Sequence, residues 1–319
     1  MSNLPKISIV VPFLNEKENL PVLLERVKAT FAGREETWEL VLVDDGSTDG
    51  SAEWAVERAR EDRRVRVVRL SRNFGHQLAI TAGLDRADGD AVAVMDADLQ
   101  DPPETIAAMV DKWREGNEVV YAIRRSRAGE TWTKKFLAAA FYRVFRRLAK
   151  VDVPMDAGDF RLVDRKVVDA LKEMRELHRF MRGLTCWVGF RQAAVEYDRA
   201  ARHAGETKYP VWKSARLAFD AITSFSGSPL RWIVVLGLGV CGIAALWVLY
   251  VMAQAVLRPG SMQPGWASTI AVMVFLGGVQ LVSIGMLGQY VSRIFEEGKR
   301  RPLYLVRQDT KEENAARWS

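Results

Sequence analysis

Val92-Ala-Val-Met-Asp-Ala-Asp-Leu-Gln-Asp-Pro-Pro-Glu104 opens as a short apolar run and closes on two carboxylates one residue apart, a glutamine, a further acid and a proline pair. The apolar run reads as a buried strand, and Pro102 and Pro103 stop it and start the next helix. A hard divalent cation takes oxygen ligands and is commonly held by one or two carboxylates together with substrate phosphates. Asp96 and Asp98 fit that need, and one side-chain period beyond Asp98 stands Gln100, which on an extended strand faces the same ion. Mg²⁺ or Mn²⁺ held there would neutralise a diphosphate leaving group.

Working outward, short β-branched runs alternate with longer helical patterns. Strands are expected at Ile7–Leu14, Leu40–Val43, Val65–Leu70, Ala91–Met95 and Val119–Ala122, and helices at Lys17–Phe31, Ser51–Arg60, Gln77–Arg86 and Pro103–Glu115. This alternation predicts an α/β domain with a mostly parallel sheet covered on both faces. In such sheets ligands bind beyond the carboxyl ends of the strands. The first four strands end in Pro12-Phe-Leu-Asn-Glu16, Asp44-Asp-Gly-Ser-Thr-Asp49, Ser71-Arg-Asn-Phe-Gly75 and Asp96-Ala-Asp-Leu-Gln100. Four polar termini at one edge point to a site, although Asp49 and Ser51 are also good helix caps. No G-x-G-x-x-G follows the first strand and no Walker lysine loop is present, so neither a dinucleotide nor a P-loop reading has support. The apolar N-terminal run, broken by Pro12 and without a small-residue cleavage site, is expected to be a strand and not a signal peptide.

The C-terminal third is different. Trp232 to Leu257 and Trp266 to Ser292 contain no Asp, Glu, Lys or Arg, and each exceeds the roughly 20 residues that cross a bilayer as a helix. The short connection between them predicts a transmembrane hairpin with both termini on one side. Lys213, Arg216 and Arg231 precede it, and Arg293, Lys299, Arg300 and Arg301 follow it, while the connection holds only Arg258. The positive-inside rule then puts the N-terminal domain and both termini in the cytoplasm, at the inner membrane. The polar tail after Leu305 is expected to fray.

The net charge of +6 is concentrated rather than general, with nine Lys/Arg against one acid between Arg124 and Lys150. Leu137, Phe141, Val144, Phe145 and Leu148 recur there at helical spacing, which suits a basic amphipathic helix on an anionic membrane surface; a solvated helix packed on the domain is the alternative. Residues Val211 to Phe225 suggest a second interfacial helix. No nucleic-acid partner is expected. Cys186 and Cys241 have no metal-ligand spacing and read as packing residues.

The segments IVVPFLNEKENL, LVLVDDGSTDGS, LSRNFGHQLAITAGL, MDADLQDPPE, YAIRRSRAGETW and GDFRLVDRKVV together resemble family 2 glycosyltransferases of the GT-A fold. From about Ile7 to Leu305 the chain is more closely similar to polyprenyl-phosphate glycosyltransferases, the group of bactoprenol glucosyltransferases (GtrB-like) and dolichyl-phosphate mannose synthases. The resemblance implies a GT-A, Rossmann-like cytoplasmic domain with interfacial helices and a two-helix membrane hairpin. Its parts are a nucleotide-sugar-binding core over 1–130, an acceptor-side part over 131–229, spans over 230–293 and a tail over 294–319.

The resemblance also implies roles. Pro12, Asn15, Glu16, Asp44, Asp45, Arg72 and Asn73 would hold the nucleotide sugar, and Asp96, Asp98 and Gln100 the metal and diphosphate. Arg124, Arg127, Arg202 and Lys208 would meet donor and acceptor phosphates. Asp159 matches the family's proposed base, with orientation of the acceptor or stabilisation of charge on the sugar as the other role open to it. None of His76, His178 and His203 is a catalytic candidate. The implied enzyme is a metal-dependent, inverting, tetrameric transferase moving glucose from UDP-glucose to polyprenyl phosphate; GDP-mannose or a UDP-4-amino-arabinose derivative are the other donors. A processive polysaccharide synthase fits poorly, because Ser228-Pro-Leu-Arg-Trp232 lacks the signature glutamine. A non-catalytic nucleotide-sugar binding module has no need of a metal triad beside an acceptor site.

Overall fold

The structure, a computed structural model, describes residues 4–125, 157–198, 228–257 and 265–313. The chain forms two compact units, one of Met1–Ser214 with Pro302–Ser319 and one of Ala215–Arg301. Arg127, Arg202, Lys208 and both expected interfacial helices lie outside the described residues.

The first unit is built on strands β1 (Lys6–Phe13), β2 (Thr37–Asp44), β3 (Val65–Leu70), β4 (Ala91–Val94), β5 (Val119–Arg124), β6 (Ala157–Asp164), β7 (Gln192–Tyr197) and β8 (Val306–Asp309). They make one sheet in the order β7-β5-β6-β4-β1-β2-β3-β8. Strands β4, β1, β2 and β3 run parallel, as the alternation predicts. The flanks depart from it. Strand β6 runs antiparallel between β4 and β5, and β8 runs antiparallel along β3, so the sheet is mixed. Helices α1 (Asn19–Phe31), α2 (Ser51–Glu61), α3 (His76–Arg86) and α4 (Thr105–Arg114) connect the parallel strands, and α5 (Arg165–Glu173) and α6 (Met181–Trp187) follow β6.

Strands β1 and β2 are buried at nearly every position, the pattern of strands covered on both faces. Ile7, Ile9, Leu20, Leu23, Leu40, Ile106, Met109, Phe160 and Leu162 form the core, each fully or almost fully buried; burial of each such side chain contributes about 1.5–3 kcal/mol. Helix α3 lies close on this sheet because of Gly83. A Cβ there would overlap Val10 Cγ1 and press on Val43 Cγ2 at 3.1 Å.

The tail after Leu305 does not fray where it is described. Its backbone pairs with β3, Ser71 N donates to Leu305 O at 2.9 Å, and the fully buried Asp309 carboxylate meets Arg66 at 2.7 Å and Arg86 at 2.9 Å. Ion pairing to arginines from distant elements supplies what the polar sequence lacks in apolar surface.

The second unit contains helices α7 (Ser228–Leu257, 30 residues) and α8 (Trp266–Gly298, 33 residues), in agreement with the two apolar stretches. Among the described residues, Phe275–Gly298 within α8 is long and apolar enough to cross a membrane, and Ile233–Trp247 within α7 is a shorter apolar run. Leu238, Ile243, Leu246, Leu281, Val282 and Ile284 are all exposed on these helices, an apolar surface of the kind that marks an interaction site.

Candidate active site

The carboxyl ends of β1, β2 and β3 are laced together by their own loops. Asn15, in the left-handed region at φ 58°, donates from its amide to Ser47 Oγ at 3.0 Å and accepts from Thr48 N at 2.8 Å. Glu16 N donates to Ser51 Oγ at 3.0 Å. The loop after β2 is tied onward to the loop after β3, where Asp45 accepts from Phe74 N at 2.7 Å and from Gly75 N at 3.0 Å. Burial pushes the Asp45 carboxyl up, with the two amides opposing it. Gly46, at φ +86°, permits this approach, since a Cβ there would stand 2.8 Å from Asn73 N and 3.0 Å from Arg72 C.

These loops wall a cleft of about 430 Å³, lined by Pro12, Glu16, Asp45, Asn73, His76, Asp96, Asp98 and Asp159 among others. That is the size of a small-molecule site. Seven of the residues expected at the site therefore share one cleft: Pro12, Glu16, Asp45, Asn73, Asp96, Asp98 and Asp159. Others stand behind or beside it. Asp44 is buried, accepting from Ser47 N at 2.8 Å and pairing with Arg69 at 3.4 Å. Arg72 lays its guanidinium over the Phe74 ring at 4.3 Å. Arg124, at the end of β5, donates from Nε to the Tyr197 hydroxyl at 3.3 Å, and that hydroxyl donates to Asp101 at 2.5 Å. Burial beside Asp101 pushes the Tyr197 hydroxyl up to about 12.

The strand-period argument for Asp98 and Gln100 does not hold. Strand β4 ends at Val94, Leu99 turns through φ 60°, and Asp98 accepts from Gln100 N at 3.1 Å. Asp96 and Asp98 reach the cleft from a turn, not from one face of a strand. Among the described residues no group of three or more His, Cys, Asp or Glu side chains is gathered as a metal cage. The carboxylates nonetheless fit a cation. Asp96 Oδ1 is sealed from solvent without a hydrogen bond. Burial pushes this carboxyl up to about 6, with Asp101, Asp159 and Asp98 adding to the effect and His76 opposing it. A site of one or two carboxylates awaiting substrate phosphates is the arrangement Mg²⁺ commonly uses.

His76, not a catalytic candidate from the sequence, lines the cleft between Asp96 and Asp159. Its Nε2 lies 3.4 Å from Asp96 and 3.5 Å from Asp159. Burial alone would lower this imidazole, but Asp159 and Asp96 outweigh it and raise its pKa. Asp159 is held from other elements too, by Gln77 at 3.2 Å and by Arg182 at 3.0 Å. Burial works to raise the Asp159 carboxyl, yet His76, Arg182 and Arg161 together hold it well below the usual carboxylate range. Arg161, the nearer partner in sequence, bonds instead to the carbonyls of Gly158 and Asp159 and to Thr185. Only spatial contact identifies Gln77 and Arg182.

The family model for glycosyl transferase family 2 matches residues 8–172. The uncharacterized glycosyltransferase YkcC of Bacillus subtilis (strain 168) is 46% identical over 98% of this chain and 97% of its own. The bactoprenol glucosyl transferase of Shigella phage SfV is 39% identical over 95% of this chain and 99% of its own. Among solved structures, mannosyl-3-phosphoglycerate synthase from Rubrobacter xylanophilus superposes with a TM-score of 0.49 and 17% identity, covering 82% of this chain and 79% of that one. Matched by the family model from Ser8 in β1 through β4 and the cleft residues between them, and by relatives almost end to end, this chain belongs to glycosyl transferase family 2, similar within it to the bactoprenol glucosyl transferases.

Proposed function

We propose that the protein transfers glucose from UDP-glucose to polyprenyl phosphate at the cytoplasmic face of the inner membrane, with inversion at the anomeric carbon. The observation that carries the reading is the convergence of Asp96, Asp98 and Asp159 in one nucleotide-sized cleft, in a chain whose nearly full-length relatives include bactoprenol glucosyl transferases. Pro12, Asn15, Glu16, Asp44, Asp45, Arg72 and Asn73 form or brace the wall that holds base and ribose. Asp96, Asp98 and Gln100 would hold Mg²⁺ or Mn²⁺, which would supply neutralisation of the departing diphosphate. Arg124 is the described member of a set of cations that, with Arg127, Arg202 and Lys208, meets phosphate groups; a guanidinium fork suits that task.

In the transfer an acceptor phosphate oxygen bonds to the anomeric carbon as the bond from that carbon to the diphosphate oxygen breaks, leaving polyprenyl-phosphate glucose and UDP. Phosphate monoesters have a second pKa of about 6, so the acceptor is already ionised near neutral pH and no proton need be removed. Asp159 then serves by charge and orientation. A membrane hairpin of α7 and α8 would anchor the enzyme where its lipid acceptor resides, and holding two reactants in place supplies much of the rate.

The test is incubation of purified protein with polyprenyl phosphate and labelled UDP-glucose, GDP-mannose or a UDP-4-amino-arabinose derivative. Lipid-linked label from UDP-glucose alone is expected; label from another donor would correct the sugar, and binding without lipid-linked label would overturn the enzyme reading.

A further inference from the structure

Two elements remote in sequence, α3 and α6, converge on Asp159. Gln77, in the first turn of α3, donates from Nε2 to Asp159 Oδ2 at 3.2 Å, and its Oε1 accepts from Met181 N at 2.9 Å. One amide side chain thus grips both the carboxylate and the start of α6. The next residue of α6, Arg182, donates from Nε to Asp159 Oδ1 at 3.0 Å. Both carboxylate oxygens therefore accept from a side chain that the other contact helps to place.

The surroundings stiffen this arrangement. Arg179, largely buried, donates to Leu171 O at 3.2 Å and to Met174 O, tying the segment before α6 to the end of α5. Arg161, also buried, donates to Gly158 O at 2.7 Å and to Thr185, fixing the backbone under Asp159 against α6. Donors to both oxygens favour the charged form of a carboxylate and fix its direction, and each makes it a poorer acceptor of a further proton.

We propose that Arg182 and Gln77 are positioning residues that hold Asp159 as a fixed anion facing the cleft, so that it acts on the sugar by charge and direction and not by taking a proton. This rests on the transfer proposed above. No proton has to move in that reaction: one carbon–oxygen bond forms, one breaks, and the acceptor's negative charge leaves on UDP. A fixed anion beside the anomeric carbon stabilises the positive charge that develops there, the advantage of a charge oriented before the reaction starts.

The experiment compares full-length wild type with Gln77→Ala, Arg182→Ala, Arg182→Lys and Asp159→Asn, and with the first two combined with Asp159→Asn, measuring kcat and KM for donor and acceptor. Misplacing a reacting group can cost about 100-fold, so Gln77→Ala and Arg182→Ala are expected to lower kcat by about 10- to 100-fold with the donor KM little changed. Arg182→Lys should recover part of the loss. In the Asp159→Asn background neither alanine substitution should cost more than about twofold, because residues acting through one group are not additive. Multiplying losses in that background, or wild-type kcat in Arg182→Ala, would overturn the inference while leaving the transferase reading intact. A wild type that links no sugar to lipid from any donor would overturn that reading, and this inference with it.

Discussion

His76 Nε2 stands 3.5 Å from Asp159 Oδ2, so the first residue of α3 and a residue of the antiparallel strand β6 meet in the cleft. The same nitrogen is 3.4 Å from Asp96, so His76 stands between two carboxylates of the cleft. His76→Ala should lower kcat by about 10-fold, less than the roughly 100-fold or more lost with a donor aimed directly at developing charge. Steady-state kinetics with saturating lipid checks it, and an unchanged kcat would leave His76 without a part in the transfer.

Metal removal should be more severe. The carboxylates around Asp96 repel one another, and a bound cation would relieve that repulsion while supplying several kcal/mol to the leaving group. EDTA is expected to reduce transfer at least about 100-fold, with recovery on adding Mg²⁺ or Mn²⁺. Asp98→Asn should reproduce the loss without recovery.

Gly46 makes the rim possible, and its replacement tests the rim without touching a reacting group. In Gly46→Ala the new methyl group meets Asn73 N at 2.8 Å, a backbone atom that can move only with its loop, and φ +86° is itself unfavourable for alanine. The expected cost is about 1–3 kcal/mol of stability, with a higher KM for the nucleotide sugar. Thermal unfolding and donor titration measure the two effects separately.

The β8 clamp should be pH-dependent. Burial alone would raise Asp309, but Arg66 and Arg86 hold its carboxyl below the ordinary 3.8. A depressed folded pKa contributes stability that is present above the unfolded value and is lost as pH falls through the folded one. Asp309→Asn should therefore cost about 3 kcal/mol near neutral pH by leaving two arginines without this partner. The difference in unfolding temperature from wild type should hold down to about pH 3.8 and shrink below it; a difference that persists undiminished well below that pH would show that the carboxylate's charge is not what the clamp uses.

The parallel core was legible because Ile7 to Val11, Leu40 to Val43 and Ala91 to Val94 are apolar runs bounded by turn residues, and the site edge because each run ends in polar side chains. Strand β6 was legible only as a motif, since Arg161 occupies a buried strand position that apolar patterning treats as exposed. Strand β8 carries almost no apolar signal; its stability comes from arginines about 220 to 240 residues away. The turn at Leu99 escaped because a non-glycine residue rarely takes positive φ. Gln77, Arg182 and His76 were illegible for one shared reason: their partner, Asp159, reaches them only through the antiparallel insertion of β6 beside β4.

The most direct test of the central claim is mass spectrometry of polyprenyl phosphate after incubation with the purified full-length protein, UDP-glucose and Mg²⁺. The account predicts a lipid heavier by one anhydrohexose, one UDP released for each lipid modified, and neither product from Asp98→Asn. UDP-glucose bound in the cleft with the lipid mass unchanged would contradict it.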